Sequence, residues 1–517
     1  MKHWVAILLA AMLICGMTAG ARSEETDSQN LVFYEIFTGS FSDGDGDGVG
    51  DLRGVISRLD YLNDGRAESE TSLGIQGIWL TPVFASPSYH KYDVEDYYSV
   101  DPAFGTMADL ERLISECHAR GIRLILDLPL NHTSRSHAWF RRFQSARTLH
   151  NTESPFYDWY ICHEADALPA GHTCYALGST EFYYEGNFSQ NMPELNYDNP
   201  AVRQAALDIA EYYLEKGVDG FRFDAAKYIY FGDNARSVDF WQWYAGELRA
   251  RKPDIWMVAE VWDSDGVTDL YTPAVDCFQF SLTGTGGLLA QTAAGGDVNR
   301  FAAYIQKYTE KIRSLRPGAI MVPFLSNHDM DRAAGYLPDS NGRARMAANL
   351  YILGPGAPFL YYGEEIGLKG SRGGANTDAN RRLAMRWGDG DPVADPAGAT
   401  YTSQTAATVV SMQAEEDSLW HYYRRLIALR KAHPEIARGS CQAVTLKGMK
   451  VGGFVSEWQG SRTLTLHNTG EKTRMVDLEA AGLGEFRQIS GCAGLGTATL
   501  EEGVLTLDGQ TSVILRH

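Results

Sequence analysis

The sequence predicts an α/β fold, a (β/α)8 TIM barrel with an insertion subdomain after strand 3 and a C-terminal all-β domain. Three observations support this prediction. Short apolar runs alternate with helical stretches over most of the chain, a long aromatic-rich segment interrupts that alternation, and short alternating strands follow near the C-terminus. The 517 residues are enough for a large barrel with smaller additions.

Seven apolar runs are candidate strands of the barrel. They span residues 31–37, 75–80, 122–128, 218–223, 255–261, 320–325 and 358–361. Helix signals separate several of them. A helix predicted over residues 108–120 ends at Gly121, and one over residues 200–216 has Asn199 as its cap and Gly217 after it. This order predicts parallel strands linked by helices.

Residues 131–196 break the alternation and are predicted to form the insertion subdomain. They are rich in aromatic side chains and far exceed the roughly two to six residues that usually connect elements of an α/β unit. The barrel is therefore divided into residues 31–130 and 197–435. Residues 436–517, with short alternating strands and glycine-rich turns, form the predicted β domain.

The N-terminus has the features of a signal peptide spanning residues 1–21. Lys2 precedes an apolar run, and Ala19-Gly20-Ala21 offers a small-x-small cleavage pattern. We therefore expect a secreted protein, extracellular or periplasmic. No later segment has the roughly 18 apolar residues of a membrane span, so we expect no membrane association after signal removal.

The charge balance favours a neutral substrate. Acidic residues number 65 and basic residues 46, a net charge of −19. Such a surface repels nucleic acid and anionic membranes, so neither is an expected partner. We expect a monomer.

The cysteines leave their pairing open. Export would expose them to oxidising conditions, so Cys162 with Cys174, and Cys441 with Cys492, are candidate disulfides. Cys117 and Cys277 lie in apolar contexts, where a buried thiol is an equally good interpretation.

Polar residues follow several predicted strands, at the end of a parallel barrel that forms active sites. They are Asp127, Asn131, His132, Arg222, Asp224, Glu260, His328 and Asp329. Any one of them alone is better explained as a cap or a surface ion pair. Their shared placement predicts a single cleft in which three carboxylates converge.

Two of these carboxylates fit the hydrolysis of a glycosidic bond with retention. That reaction needs a carboxylate nucleophile and a protonated carboxylic acid, about 5 to 5.5 Å apart. Asp224 and Glu260 are the natural pair. Arg222 lies two residues before Asp224 and so faces the same side of the strand, where its charge should lower the pKa of Asp224.

The motifs around these residues resemble, in order and spacing, the four signature regions of the α-amylase family, glycoside hydrolase family 13. They are DLPLNH at 127–132, GFRFDAAK at 220–227, EVW at 260–262 and NHD at 327–329. GIWLTP at 77–82, MPELN at 192–196 and GAPFLYYGEE at 356–365 extend the resemblance. It covers residues 31–387.

The resemblance implies that Asp224 is the nucleophile, Glu260 the general acid/base and Asp329 a stabiliser of the oxocarbenium-like transition state. The implied substrate-binding residues are Tyr92, Asp127, His132, Arg222, Lys227 and His328. Tyr92 matches the tyrosine that stacks under the reacting sugar. Lys91 departs from the family, whose members usually have glycine there.

Smaller details favour α-1,4 specificity. Ala225 and Lys227 resemble the residues of α-1,4-cutting members, and the MPELN motif resembles an intermediate bacterial subgroup between oligo-1,6-glucosidases and neopullulanases. The first expectation is an α-amylase acting on starch and maltooligosaccharides through a covalent glycosyl-enzyme. An exo-acting α-glucosidase or a 4-α-glucanotransferase stays open, because that intermediate can pass its sugar to another sugar. A catalytically silent binding protein is a remote alternative.

The segment DGDGDGVGD at 43–51 is predicted to bind a structural calcium ion. Alternate positions carry oxygen ligands, as a hard cation requires, and the segment resembles a calcium loop of many bacterial family members. The candidate ligands are Asp43, Asp45, Asp47, Asp51 and the carbonyl of Val49. A solvated Asp/Gly turn is the alternative. A second calcium, which many family amylases hold through the position of Asn131, is left open.

Overall fold

The computed structural model describes residues 31–373 and 378–517, so the predicted signal peptide at 1–21 lies outside the described residues. Within that part of the chain, none of the helices combines the length and the apolar character needed to cross a membrane.

The first part of the barrel alternates strands and helices. Its elements are β1 (Phe33–Ile36), α1 (Leu52–Ser57), α2 (Leu59–Leu62), β2 (Gly77–Leu80), β3 (Phe84–Ala85), β4 (Asp96–Val100), α3 (Met107–Ala119) and β5 (Arg123–Leu128). A capping box fixes the start of α3. The Thr106 side chain accepts from the Asp109 backbone N–H, and the Asp109 carboxylate accepts from the Thr106 N–H.

The insertion follows β5 and forms a small sheet with one helix. Its elements are α4 (Ala138–Thr148), β6 (Cys162–Glu164), β7 (Cys174–Ala176) and β8 (Phe182–Glu185). Strand β8 lies between β6 and β7, so two strand spacings separate Cys162 from Cys174. Each spacing is about 4.8 Å. A disulfide needs Cα atoms within about 7 Å. The predicted pairing of Cys162 with Cys174 is wrong, and both are free thiols.

The second part of the barrel continues the alternation. Its elements are α5 (Pro200–Glu215), β9 (Gly220–Phe223), α6 (Asn234–Arg251), β10 (Trp256–Ala259), α7 (Asp265–Tyr271), β11 (Asp276–Cys277), α8 (Leu288–Ala293), α9 (Val298–Leu315), α10 (Arg343–Ile352), β12 (Phe359–Tyr361), α11 (Val409–Ala414), α12 (Leu419–Lys431) and α13 (Pro434–Arg438). The predicted cap is present on α5, where the Asn199 side chain accepts from the Ala201 N–H.

The barrel sheet is parallel, in the order β11-β10-β9-β5-β2-β1-β12. Two parallel bridges close it, from Phe278 to Val322 and from Phe324 to Phe359. Residues 320–325, predicted to form a strand, thus pair with the neighbouring strands through these two bridges and not through a continuous ladder. The sequence patterns missed β11, which has only two residues and begins with a charged one. The predicted TIM barrel is confirmed.

The C-terminal strands form two antiparallel sheets, which confirms the predicted all-β domain. The strands are β13 (Ser440–Thr445), β14 (Val451–Trp458), β15 (Ser461–Asn468), β16 (Arg474–Asp477), β17 (Gln488–Gly494), β18 (Ala498–Glu501), β19 (Val504–Leu507) and β20 (Thr511–Arg516). Cys441 on β13 and Cys492 on β17 lie at opposite edges of the sheet β13-β14-β15-β20-β17, about 19 Å apart over four spacings. Their predicted pairing is also wrong, and Cys117 and Cys277 are buried free thiols.

Candidate active site

Three carboxylates lie together at the C-terminal ends of the barrel strands. Asp224 follows β9 directly, Glu260 follows β10 directly, and Asp329 follows the segment that closes the barrel. All three line one cleft of about 650 Å³. This convergence follows from the fold, because the carboxyl ends of parallel barrel strands meet on the same face.

Arg222 connects the acids at the bottom of the cleft. Its Nη1 donates to Asp127 Oδ1 at 2.9 Å and to Asp224 Oδ1 at 2.6 Å, and its Nη2 lies 3.0 Å from Glu260 Oε2. The guanidinium and the Asp127 carboxylate are buried, with side chains 1% and 0% exposed. Residues 222 and 224 face the same side because side chains alternate along a strand.

Arg222 was predicted to lower the pKa of Asp224, but this pKa lies above its usual value. Burial raises it above its usual value, while the charge and the hydrogen bond of Arg222 lower it. The predicted effect of Arg222 is therefore present, but it is outweighed because the carboxylate is removed from water. Contact with the guanidinium limits the rise and favours the anion that a nucleophile needs.

Glu260 has surroundings that favour its protonated form. Burial raises its pKa, Arg222 opposes that rise, and the neighbouring charges of Asp224 and Asp329 add to it. Glu260 Oε2 accepts from the backbone N–H of Ala225 at 3.0 Å, which opposes part of this rise in pKa. Ala225 has a left-handed backbone, φ 46° and ψ 42°, which turns this N–H toward the acid.

Asp329 is held as an anion by two cations. Its Oδ1 accepts from Arg382 Nη2 at 2.6 Å, and its Oδ2 lies 3.1 Å from His328 Nε2. Although burial opposes them, His328 and Arg382 hold the pKa of Asp329 well below its usual range. Sequence patterns missed Arg382, which lies beyond β12 in a stretch without apolar periodicity.

Tyr92 lies flat against His328, with ring centroids 5.5 Å apart and planes 11° apart. Its hydroxyl donates to Asp127 Oδ2 at 2.9 Å. Lys91, just before it, has φ 65°, a left-handed conformation that explains why glycine suits this position in the family. Here the Lys91 ammonium pairs with Asp101 Oδ2 at 2.9 Å, so an ion pair anchors the loop.

His132 and Lys227 also line the cleft. Burial lowers the pKa of His132 to about 4, so it is neutral at physiological pH. Lys227 Nζ donates to Asp263 Oδ2 at 3.0 Å and to the Trp262 carbonyl at 2.9 Å. All predicted catalytic and substrate-binding residues thus lie in or directly beneath one cleft.

Aromatic side chains form the outer walls, and the sequence reading did not assign them to the site. Phe188 and Trp262 are each nearly half exposed, at 45% and 46%. Phe188 contacts Tyr228 at 4.7 Å between ring centroids, and Trp262 stacks on Phe280 at 5.1 Å. The position of Trp262 directly after the Glu260-Val261 motif was the available signal for one of them.

The predicted calcium loop brings three of its aspartates together. Oxygen atoms of Asp43, Asp45 and Asp51 lie within 4.8 Å of one another. The N–H groups of residues 45, 46 and 48 donate to the Asp43 carboxylate and shape the turn. Burial raises the pKa of Asp51, and the charge of Asp45 adds to that rise. Clustered carboxylate oxygens fit a calcium ion, which would relieve their repulsion.

Two of the predicted ligands are not part of this group. Asp47 is exposed, and its Oδ1 accepts from the Val49 N–H at 2.8 Å. The Val49 side chain is also exposed, and its carbonyl stays a predicted ligand. The Asp47 carboxylate stays a predicted ligand as well.

Oxygen atoms also gather at the second calcium position that the sequence left open. Asn131 Oδ1 is buried and has no hydrogen-bond partner among the described residues. Glu194, which bridges to His132 through its backbone, is buried beside it, and burial raises the pKa of Glu194 to about 7. Amide and carboxylate oxygens suit a hard cation, and the second calcium site stays open.

Comparisons with known proteins cover most of the chain. A model of the α-amylase catalytic domain matches residues 35–439. Alpha-amylase 3 from Dictyoglomus thermophilum is 33% identical over 451 residues, 85% of each chain. 4-alpha-glucanotransferase from Thermotoga neapolitana is 31% identical over 357 residues, 67% of this chain and 74% of that protein.

A solved structure gives the same result. Eubacterium rectale Amy13B superposes with a TM-score of 0.87 at 31% identity, over 94% of this chain and 95% of that one. Residues 35–439, which the family model matches, contain Asp224, Glu260 and Asp329. The chain is a glycoside hydrolase and belongs to the α-amylase family, glycoside hydrolase family 13.

Proposed function

We propose that this protein is a secreted, retaining α-amylase that cleaves α-1,4-glucosidic bonds of starch and maltooligosaccharides. The contact of one buried guanidinium, that of Arg222, with both Asp224 and Glu260 is the main support. It brings these two carboxylates together, as the proposed nucleophile and acid require. Secretion rests on the N-terminal sequence alone.

In the first step, Asp224 attacks the anomeric carbon while Glu260 gives its proton to the departing glycosidic oxygen. The bond between that carbon and that oxygen breaks, and a covalent glycosyl-enzyme forms. In the second step, the Glu260 carboxylate takes a proton from water, and the hydroxide displaces Asp224. Asp329, held as an anion, stabilises the positive charge that develops on the sugar in both steps.

The charges of the cleft favour an uncharged sugar. Among the described residues, the arginines and the lysine that line it lie beside aspartates, which offset their charges. The pairs are Lys227 with Asp263 at 3.0 Å, Arg372 with Asp378 at 3.9 Å, Arg381 with Asp331 at 2.9 Å, and Arg382 with Asp329 at 2.6 Å. This pairing agrees with the acidic composition.

The aromatic walls favour a chain of several sugars. Phe188, Tyr228 and Trp262 line the cleft together with Asp224, Glu260 and Asp329. Aromatic ring faces bind the apolar sides of sugar rings while hydroxyls stay in water. Asp43, Asp45 and Asp51 would hold a structural calcium ion at a loop that precedes α1 and takes no part in the chemistry.

A 4-α-glucanotransferase is the second candidate. The same glycosyl-enzyme reacts with a sugar hydroxyl in place of water, and the aromatic walls would retain such an acceptor. The relative from Thermotoga neapolitana carries that name. The two activities differ only in the acceptor, so their products separate them.

The test is time-resolved product analysis on starch, maltotriose and pullulan with calcium present. We expect early mixed maltooligosaccharides from starch with the wild-type protein, and none with Asp224→Asn. Asp239→Asn makes the same chemical change at an exposed position and should keep full activity. Lengthened chains from maltotriose would favour the transferase, glucose alone an α-glucosidase, and activity in Asp224→Asn would refute the nucleophile assignment.

A further inference from the structure

Glu35 is a charged side chain inside the barrel. It lies on β1, is 2% exposed, and belongs to none of the motifs that identify the catalytic residues. Its Oε1 lies 2.6 Å from His328 Nδ1 and accepts from the His328 backbone N–H at 3.3 Å. Burying a carboxylate costs free energy unless it is paired, so this contact calls for an explanation.

The partners of His328 determine its protonation. Nε2 lies 2.7 Å from the Tyr92 hydroxyl and 3.1 Å from Asp329 Oδ2. The Tyr92 proton is donated to Asp127, so the Tyr92 oxygen can only accept from Nε2. The carboxylates at both ends of the ring are acceptors as well. With Glu35 and Asp329 as carboxylate anions, both ring nitrogens donate, which makes His328 an imidazolium cation. Burial raises the pKa of Glu35, and the contact with His328 opposes that rise.

We propose that Glu35 is a positioning residue for the glycosidase reaction: it fixes the ring of His328 and keeps it cationic, so that Asp329 faces the reacting sugar as an anion. This inference rests on the proposed function. Glu35 touches neither the cleft nor the sugar and acts only through His328.

The groups around His328 support this role. They are Glu35 on β1, Tyr92 between β3 and β4, Asp127 on β5, Arg222 on β9, Asp224 after β9, and Asp329 and Arg382 beyond the closing segment. Burial lowers the pKa of His328, but Asp329 and Glu35 outweigh it and raise the pKa to about 10. Loss of the Glu35 charge should lower it by about 1 to 3 units.

The replacement Glu35→Gln removes the charge and keeps the size and an acceptor oxygen. We expect kcat on maltoheptaose to fall by about 10-fold or more while KM changes little, because Asp329 loses the cation beside it. Glu364→Gln removes a second buried carboxylate, which accepts from Tyr351 and Tyr423 outside the cleft, and should leave kcat unchanged. A merely structural role would lower the Tm of Glu35→Gln without lowering kcat of the folded protein.

A spectroscopic measurement makes the test independent of activity. The 15N resonances of His328, assigned by comparison with His328→Gln, should show both ring nitrogens protonated at pH 8 in the wild-type protein and only one in Glu35→Gln. A neutral His328 in the wild type, or an unchanged kcat in a folded Glu35→Gln, would overturn the proposal. Absence of turnover on every α-glucan would instead refute the proposed function, while the resonances would still decide the role of Glu35.

Discussion

Arg222 Nη1 lies 2.6 Å from Asp224 Oδ1, two residues further along the same chain segment, and the same nitrogen contacts the buried Asp127. The other terminal nitrogen reaches Glu260. One guanidinium therefore compensates three carboxylates that would otherwise repel one another. No point charge of the same size can make these contacts together, because they use the planar fork of the arginine side chain.

The replacement Arg222→Lys should impair both catalysis and stability. We expect kcat/KM to fall by about 10² to 10³, as when one preorganised electrostatic contact is lost. The pKa of Asp224 should rise further, so the acid limb of the pH profile moves up. Arg251→Lys, in a surface pair with Glu247, is the matched control and should change little. An unshifted acid limb would show that Arg222 does not tune Asp224.

The replacement Glu260→Gln should be rescued by a leaving group that needs no proton. Loss of general acid catalysis should lower kcat on starch by about 10² to 10⁴. With an α-maltosyl fluoride, whose fluoride departs unprotonated, the first step should be impaired far less. Equal losses on the two substrates would contradict the assignment of Glu260 as the acid.

Removal of calcium should lower the thermal stability. A chelator should reduce the Tm of the wild-type protein, because the carboxylates of Asp43, Asp45 and Asp51 then repel one another. Asp43→Asn should melt at a lower temperature and lose calcium binding in a calorimetric titration. Asp239→Asn, at an exposed position on α6, should keep both. Identical melting with calcium and with chelator would rule out a stabilising ion.

Glu364 should make stability depend on pH. Its Oε1 accepts from Tyr351 at 2.6 Å and Tyr423 at 2.8 Å, while Oε2 is buried without a partner among the described residues. Burial raises its pKa to about 7 from 4.5. A raised carboxyl pKa favours the protonated form, so its contribution is full below pH 4.5 and is lost as the pH rises through 7.

The replacement Glu364→Gln tests this dependence. It should raise the free energy of unfolding at pH 8.5 by up to about 3 kcal/mol and change it little at pH 4. Urea unfolding at the two pH values measures the difference. Glu153→Gln, at an exposed position, should have no effect at either pH. The same effect of Glu364→Gln at both pH values would contradict the assigned protonation.

The sequence alone predicted the parts of the site that depend on residues close together along the chain. Arg222 and Asp224 share a face because side chains alternate on a strand, and Glu260 follows an apolar run that had to be buried. Arg382 could not be found this way, because a long irregular segment brings it to Asp329. The cysteine pairings failed for a related reason, since strand order within a sheet is set by tertiary contacts and not by proximity in sequence.

The barrel sheet has its sparsest strand pairing at the two bridges that close it. Every other neighbouring pair of barrel strands shares a continuous ladder, whereas the segment at 322–324 meets each neighbour through a single bridge. Segments with few ladder contacts open at lower free energy than the whole molecule, so amide protons here should exchange early on warming. Asp329 follows this closing segment along the chain, whereas Asp224 and Glu260 follow strands that are paired in continuous ladders. Heat should therefore release the transition-state stabiliser before it separates the nucleophile from the acid, and activity should fade while the barrel is still folded.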